Sequence, residues 1–386
     1  MNENNLLPRI ERNSNLSRTF SALKWILALL VVCDHFFRVS LLPYADTKSV
    51  PYSQWLSDFV GAFIRDYQVP LFFMMSGFLF CASTKFSPSL YRNKIRSRLI
   101  SLGIPYVVFI LYAIAITAWL DYKYIGGPSW TLCHPMYMVT GHPLTYPINV
   151  PLWYLRDLLI MCLISPLIHA ALRMTRGWII LPLICIYVYV IPSGIFSHML
   201  CSVTFFTAGY WLRLKGTDVT ANAHRMLPWL IPLYIILSTI QMNLAEDSYL
   251  YIWVKHLDVL VTAPMTFAIV SLLVERRKLP QSEFLVAATF FVYLTHHPLR
   301  RLMLNLFGSY APGIGDIAFI PLLILSTAAM VLVLMLTFRT LSTVSPGLTA
   351  FITGSRVPSE SSHNFGVTRI FRSVFGKIGG WGPKLQ

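Results

Sequence analysis

FSALKWILALLVVCDHFFRVS, residues 20–40, is an apolar run long enough to cross a bilayer, with ionisable residues inside it. Wound at about 100° per residue, it puts Lys24, Ala28, Val31 and His35 in one narrow stripe, and Arg38 falls one turn past His35. His35 follows Lys24 by about 16 Å of helix, at about 1.5 Å per residue. With Lys24 near one boundary, His35 is expected near mid-bilayer. An ionisable side chain at that depth is expensive and points to function. A histidine that only hydrogen-bonds a neighbouring helix is the other reading, and this stretch leaves both open.

Runs of this kind recur along the chain. Of its 386 residues, 55% are hydrophobic and 12% charged, and a soluble protein of this length carries about twice that charged share. Mean hydropathy is +0.60. The fold class is therefore all-α, a polytopic transmembrane bundle. The expected spans are 20–42, 66–84, 99–120, 152–172, 177–192, 197–212, 226–242, 250–273, 284–307 and 316–338. That is about ten spans, with both termini cytoplasmic. The first run is too long for a signal peptide and has no small-x-small site after it, so it is expected to stay as an uncleaved span.

The net charge of +15 does not require a nucleic acid. The basic residues gather in alternate gaps between apolar runs, as the positive-inside rule expects. The densest gap holds Lys85, Arg92, Lys94, Arg96 and Arg98. Orientation, helped by anionic lipid, accounts for most of the charge. The six cysteines have no metal or redox spacing, and neither a metal nor a disulfide is expected. The chain divides into a cytoplasmic segment 1–19, a membrane domain 20–340 and a basic tail 341–386. In the tail, Val367, Ile370, Phe371, Val374, Phe375 and Ile378 recur at helical spacing, which suits an amphipathic helix on the inner leaflet or a plain basic tail.

Polar residues at membrane depth mark where chemistry could sit: Asp34, His35, Arg38, Ser76, Arg156, Asp157, Lys255, His256, Asp258, His296, His297, Arg300 and Arg301. Such residues usually face a bundle interior, so the histidines of spans 1 and 9 could line one cavity. Lys24 and the cluster from Arg92 to Arg98 would make its inner mouth cationic. That arrangement suits an anionic, phosphate-bearing donor, and it equally suits a proton-coupled carrier. The outer loop 121–151 adds Trp130, His134, Tyr137, His142 and Tyr146, and Trp153 and Tyr154 follow; these suit sugar stacking or an interfacial aromatic belt.

Five stretches, taken together, resemble acyltransferase family 3, a family of integral-membrane acyltransferases. Lys24 with ten residues before His35 is similar to the basic-x10-His motif of the family's first helix. PLFFMMSGFLF, residues 70–80, is similar to its Phe-Phe-x-x-Ser-Gly-Phe stretch. RLISLGIPY, residues 98–106, resembles its Arg-x-x-Ser/Arg-x-x-x-Pro segment. PLWYLRDLLIMCLISPLI, residues 151–168, and ATFFVYLTHHPL, residues 288–299, resemble its fourth and late helices. The five occur in family order. Lys24 stands where the family often has Arg, and Ser101 where some members have a second Arg.

The resemblance implies transfer of an acyl group, usually acetyl, from cytoplasmic acyl-CoA to a hydroxyl of a bacterial cell-surface glycan or lipid-linked saccharide. It implies a multi-pass protein of the inner membrane, with acetyl-CoA as substrate and no tightly bound cofactor. A neutral imidazole takes a hydroxyl proton near pH 7, so His35 is expected as general base, or as a transient acyl carrier. Lys24, Arg98 and Arg96 are expected to bind the donor. Arg38, Ser76, Gly77 and His296 are expected to line the cavity. The rival from another class is a proton-coupled secondary transporter or lipid-linked-glycan flippase, which has no need of the Lys24–His35 spacing joined to Arg98 and the Ser-Gly-Phe stretch. A non-catalytic scaffold would leave a buried His35 unexplained.

Overall fold

The computed structural model describes residues 7, 10–11, 14–37, 51–64, 66–124, 126–128, 139, 146–189, 195–308 and 316–358. Among these the chain is helical, with no strand. The helices are α1 (Asn15–Phe37), α2 (Pro51–Phe63), α3 (Gln68–Phe80), α4 (Pro88–Arg98), α5 (Ile104–Tyr124), α6 (Trp153–Met174) and α7 (Ile180–Tyr189). They continue with α8 (Ile195–Leu214), α9 (Val219–Met242), α10 (Tyr249–Glu275), α11 (Glu283–Gly308), α12 (Asp316–Val344) and α13 (Pro346–Ile352). A π-helical turn, Leu99–Gly103, joins α4 to α5, and a 3-10 turn, Val150–Leu152, leads into α6.

Among the described residues, six helical segments are long and apolar enough to cross a membrane: Asn15–Phe36, Pro88–Lys123, Val150–Met174, Val219–Met242, Tyr249–Glu275 and Pro321–Val344. The expected spans 66–84 and 177–192 meet shorter helices, α3 of 13 residues and α7 of 10. Both fall below the roughly 20 residues of a straight crossing.

Local chemistry sets several ends. Ser14 caps α1, its hydroxyl accepting from Ser17 N at 3.2 Å. The helix therefore starts ahead of the expected residue 20, and His35 stands two residues from the last described residue of α1 rather than midway along it. Ser87 accepts from Leu90 N, and Pro88 follows in the first turn. The basic gap is thus itself a helix, α4, running through the π-turn into α5. The stretch 43–65, between the first two expected spans, holds α2. The expected domain limit at 340 falls inside α12, and the residues after it turn back onto the bundle.

Helix α1 is the centre, packed against α11, α10, α3, α2 and α12. Its Leu23, Leu27, Val32 and Phe36 are buried. The closest crossing is α3 on α8. A Cβ on Gly77 would lie 2.0 Å from the Phe206 carbonyl oxygen, and one on Gly209 would lie 1.8 Å from that of Met74. Each helix gives up a side chain where the other's backbone passes, the small-residue packing of membrane helices. Leu111, Leu167, Trp229 and Leu325 are exposed on the outside, while Asn149, Asp157 and His296 are fully buried. Apolar outside and polar inside is the arrangement that lipid demands.

Candidate active site

The Thr-His-His-Pro stretch of α11 meets α1. The His35 ring lies 5.3 Å from that of His296 and 5.6 Å from that of His297, centre to centre. Residues some 260 positions apart thus form one imidazole cluster. Asp34, next to His35, is buried. Arg300 lies over Phe36, 6.0 Å from its ring centre, on the same α1–α11 seam.

The proton on His296 follows from its neighbours. Nδ1 lies 3.1 Å from the Val292 carbonyl oxygen and 2.9 Å from that of Tyr293. Carbonyl oxygens only accept, so Nδ1 is the donor and Nε2 of the neutral ring carries a lone pair. That Nε2 is buried with no hydrogen-bond partner among the described residues. Such an acceptor costs about 1–3 kcal/mol to leave unmet. As a lone-pair site it can only accept, so a group that meets it must bring an O–H or N–H.

The backbone here is held from a distance. Pro298 has no N–H for the Leu294 carbonyl four residues before it. The Asn149 amide donates to that carbonyl at 2.9 Å and to the Phe109 carbonyl at 3.3 Å. The Tyr293 hydroxyl donates to the Pro151 carbonyl. These bonds bring residues 149–152, fully buried around Asn149 and Leu152, against α5 and α11. Tyr154 follows at the start of α6, and its hydroxyl is 3.1 Å from Ser76 Oγ of α3.

Cations stand beyond Tyr154. Lys24, Arg98 and Arg356 are close enough to repel one another, and Arg98 and Arg356 both act on Tyr154. Among the described residues no carboxylate forms an ion pair with any of the three. Lys24 is exposed, so its ammonium is not part of the packed core. Arg356 lies after the last membrane helix. Burial, with the Arg98 charge beside it, pulls its guanidinium down to about 10, so it stays cationic at neutral pH. Lys94 donates to the Phe80 carbonyl and lies 5.0 Å from the Phe80 ring centre, closing the end of α3. Arg213 of α8 lies 5.4 Å from the Phe78 ring centre.

The expected site residues divide on these grounds. His35 and His296 come together, as do Lys24 and Arg98, with Ser76 beside them through Tyr154. Gly77 faces the backbone of α8. Arg96 is two residues from Arg98, about 200° around the helix, on another face. Arg38 lies outside the described residues, as do Trp130, His134, Tyr137, His142 and the tail pattern from Val367 to Ile378.

Several other polar residues pair within the bundle. Arg156 bonds Asp157 at 2.8 Å, and Ser202 donates to Asp157 at 3.3 Å. Lys255 pairs with Asp66 at 3.1 Å, and Asp258 accepts from Ser238 and Thr262 at 3.3 Å each. Tyr146 and Trp153 enclose the His198 ring, at 4.7 and 4.3 Å. A groove on α12, lined by Val333, Leu336, Thr337, Thr340 and Leu341, holds no ionisable group. The five described cysteines are unpaired thiols. Among the described residues no cluster of His, Cys, Asp and Glu could hold a metal ion.

Sequence reasoning missed Arg356, Tyr293 and Asn149 as site residues, and it read Tyr154 only among aromatic residues suited to sugar stacking or an interfacial belt. Pro298, four residues after Leu294, was the available signal for Asn149, since it announces a carbonyl in need of a donor. Nothing in the spacing of residues identifies Arg356.

The chain matches the family described as an acyltransferase domain over residues 19–339. No curated protein and no solved structure matches it.

Proposed function

The chain belongs to acyltransferase family 3, whose domain fills residues 19–339, and from that membership we propose a membrane O-acyltransferase that uses cytoplasmic acyl-CoA. The acceptor in this reading is a hydroxyl of a bacterial cell-surface glycan or lipid-linked saccharide, the acyl group is acetyl, and the membrane is the inner one. The observation that carries it is the pairing on α1: imidazoles at His35, cations at Lys24, and about 16 Å of helix between them. A donor whose phosphates sit at the cations needs a long flexible arm to bring its acyl group to the imidazoles. Acyl-CoA has such an arm between its phosphates and its thioester.

In the reaction, His35 takes the proton of the acceptor hydroxyl while the alcohol oxygen bonds to the thioester carbonyl carbon. The tetrahedral adduct collapses, the C–S bond breaks, and the thiolate leaves with the proton returned from the imidazolium. The products are an ester and CoA thiol. His296, with its Nδ1–H held by carbonyls and Nε2 open, lines the cavity beside His35. Lys24 and Arg98 hold phosphate. Ser76 and Tyr154 line the passage between the two groups.

The test uses purified protein, labelled acetyl-CoA and a glycan acceptor. His35→Ala is expected to stay folded in the membrane and to lose about 10²–10⁴-fold in acyl transfer. Glycan acetylation retained in that variant would overturn the role of His35. Ion flux without any transfer of label would favour the carrier instead.

A further inference from the structure

Two features after α12 have no role in the reading above. The first is a docked segment. α13 and the turn behind it pack on the π-turn between α4 and α5, and Gly354, at φ +64°, passes so close that a Cβ would lie 2.4 Å from the Ser101 carbonyl oxygen. The second is the residue this docking delivers. Pro105 has no N–H for the Ser101 carbonyl four residues before it. Arg356 Nη1 takes that carbonyl at 2.8 Å and the Thr353 carbonyl at 2.7 Å, with the guanidinium 3.9 Å from the Phe290 ring centre.

Anchoring uses only Nη1. Among the described residues, Nε and Nη2 of Arg356 bond no protein group. Arg98 begins the same π-turn, three residues before Ser101, and Lys24 comes from α1. Three cations held together with no carboxylate among them form a site for a multiply charged anion, and a fixed guanidinium fork matches phosphate geometry.

We propose that Arg356, carried by a segment outside the matched acyltransferase domain, is the third cation of the donor's phosphate site, so that the chain after α12 completes the pocket begun by α1 and the π-turn. The inference rests on the donor reading above and extends it to a residue and a segment. The ligand chemistry is a phosphate group. An anionic lipid headgroup would supply the same chemistry as CoA, and the test separates them.

The full chain in phosphatidylcholine nanodiscs is titrated with CoA and with pantetheine, which lacks the nucleotide phosphates. Arg356→Gln is expected to weaken CoA by roughly tenfold or more and to leave pantetheine within about twofold. Arg356→Lys, which keeps the charge, is expected to recover most of the CoA affinity. It decides the matter alone if the Gln variant does not accumulate, since CoA loss matched by pantetheine loss in R356K overturns the proposal.

CoA binding unchanged in R356Q but weakened in Arg98→Gln overturns the role of Arg356 and leaves the donor reading standing. Failure of the parent protein to bind CoA removes the donor reading and this proposal with it. Equal loss of both ligands with a lowered thermal midpoint makes Arg356 a fastening only, against the proposal. A final arm repeats the comparison in nanodiscs containing phosphatidylglycerol. Loss of retained phosphatidylglycerol in R356Q, with CoA affinity intact, assigns the site to lipid and also overturns the proposal.

Discussion

Asn149 does for Leu294 what α11 cannot do for itself. Pro298 leaves the Leu294 carbonyl without its helical donor, and a fully buried amide from the 146–152 segment replaces it at 2.9 Å. The same pattern recurs where Pro105 frees the Ser101 carbonyl and Arg356 takes it. In both places a proline readable in the sequence creates a carbonyl whose partner comes from far along the chain. Asn149→Ala strands buried carbonyls on both α5 and α11. Its expected cost is about 1–3 kcal/mol, read as a lowered thermal midpoint in detergent, with a fall in activity because the His296 turn loosens. A midpoint and rate equal to the parent's would show that α11 holds its shape unaided.

Helix pairs are the next scale, and α3 on α8 is the tightest. Gly77 sits inside the Ser-Gly-Phe stretch, where its neighbour Ser76 reaches Tyr154. Its own place is against the Phe206 carbonyl, where a methyl group has no room. The motif therefore combines two jobs on adjacent residues: a hydroxyl toward Tyr154 and a bare Cα toward the neighbouring helix. Gly77→Ala and Gly209→Ala must push α3 and α8 apart. Each is expected to cost about 1–3 kcal/mol, seen as a lowered thermal midpoint. Ser76→Ala, in contrast, removes only one hydrogen bond and should leave the midpoint within about 1 kcal/mol of the parent. A glycine variant as stable as the parent would contradict the crossing distance described here.

At the scale of the whole molecule, positive charge is distributed in two ways. Most basic residues flank apolar runs and fit the positive-inside pattern. Lys24, Arg98 and Arg356 differ, since they come from separate segments and converge. Their joint field should make donor binding salt-sensitive: the apparent KM for acyl-CoA is expected to rise several-fold between low and high ionic strength. The pH dependence has a definite sign. Arg356, lowered to about 10, is charged below that value and loses its charge as pH rises through it. Donor affinity is therefore expected to decline toward pH 10, measured by CoA titration. A decline already complete by pH 8 would mean that another group governs binding.

What the residue order determined by itself is what depends on near neighbours. Apolar length and composition make this a helical membrane protein, because lipid offers the backbone no other partner than its own helix. The Lys24–His35 interval is equally local, since one helix carries both. The order of motifs also pointed to the family that residues 19–339 match.

Only the tertiary structure decided which distant residues meet. His35 finds His296 and His297 because α1 packs on α11. Ser76 finds Tyr154 because a buried turn leads α6 in beside α3. Arg356 reaches Arg98 because a glycine at positive φ lets the chain after α13 pass close to the π-turn. Such meetings depend on crossing angles and on backbones near enough to exclude a methyl group, and a pattern of apolar and polar residues along a helix does not encode either.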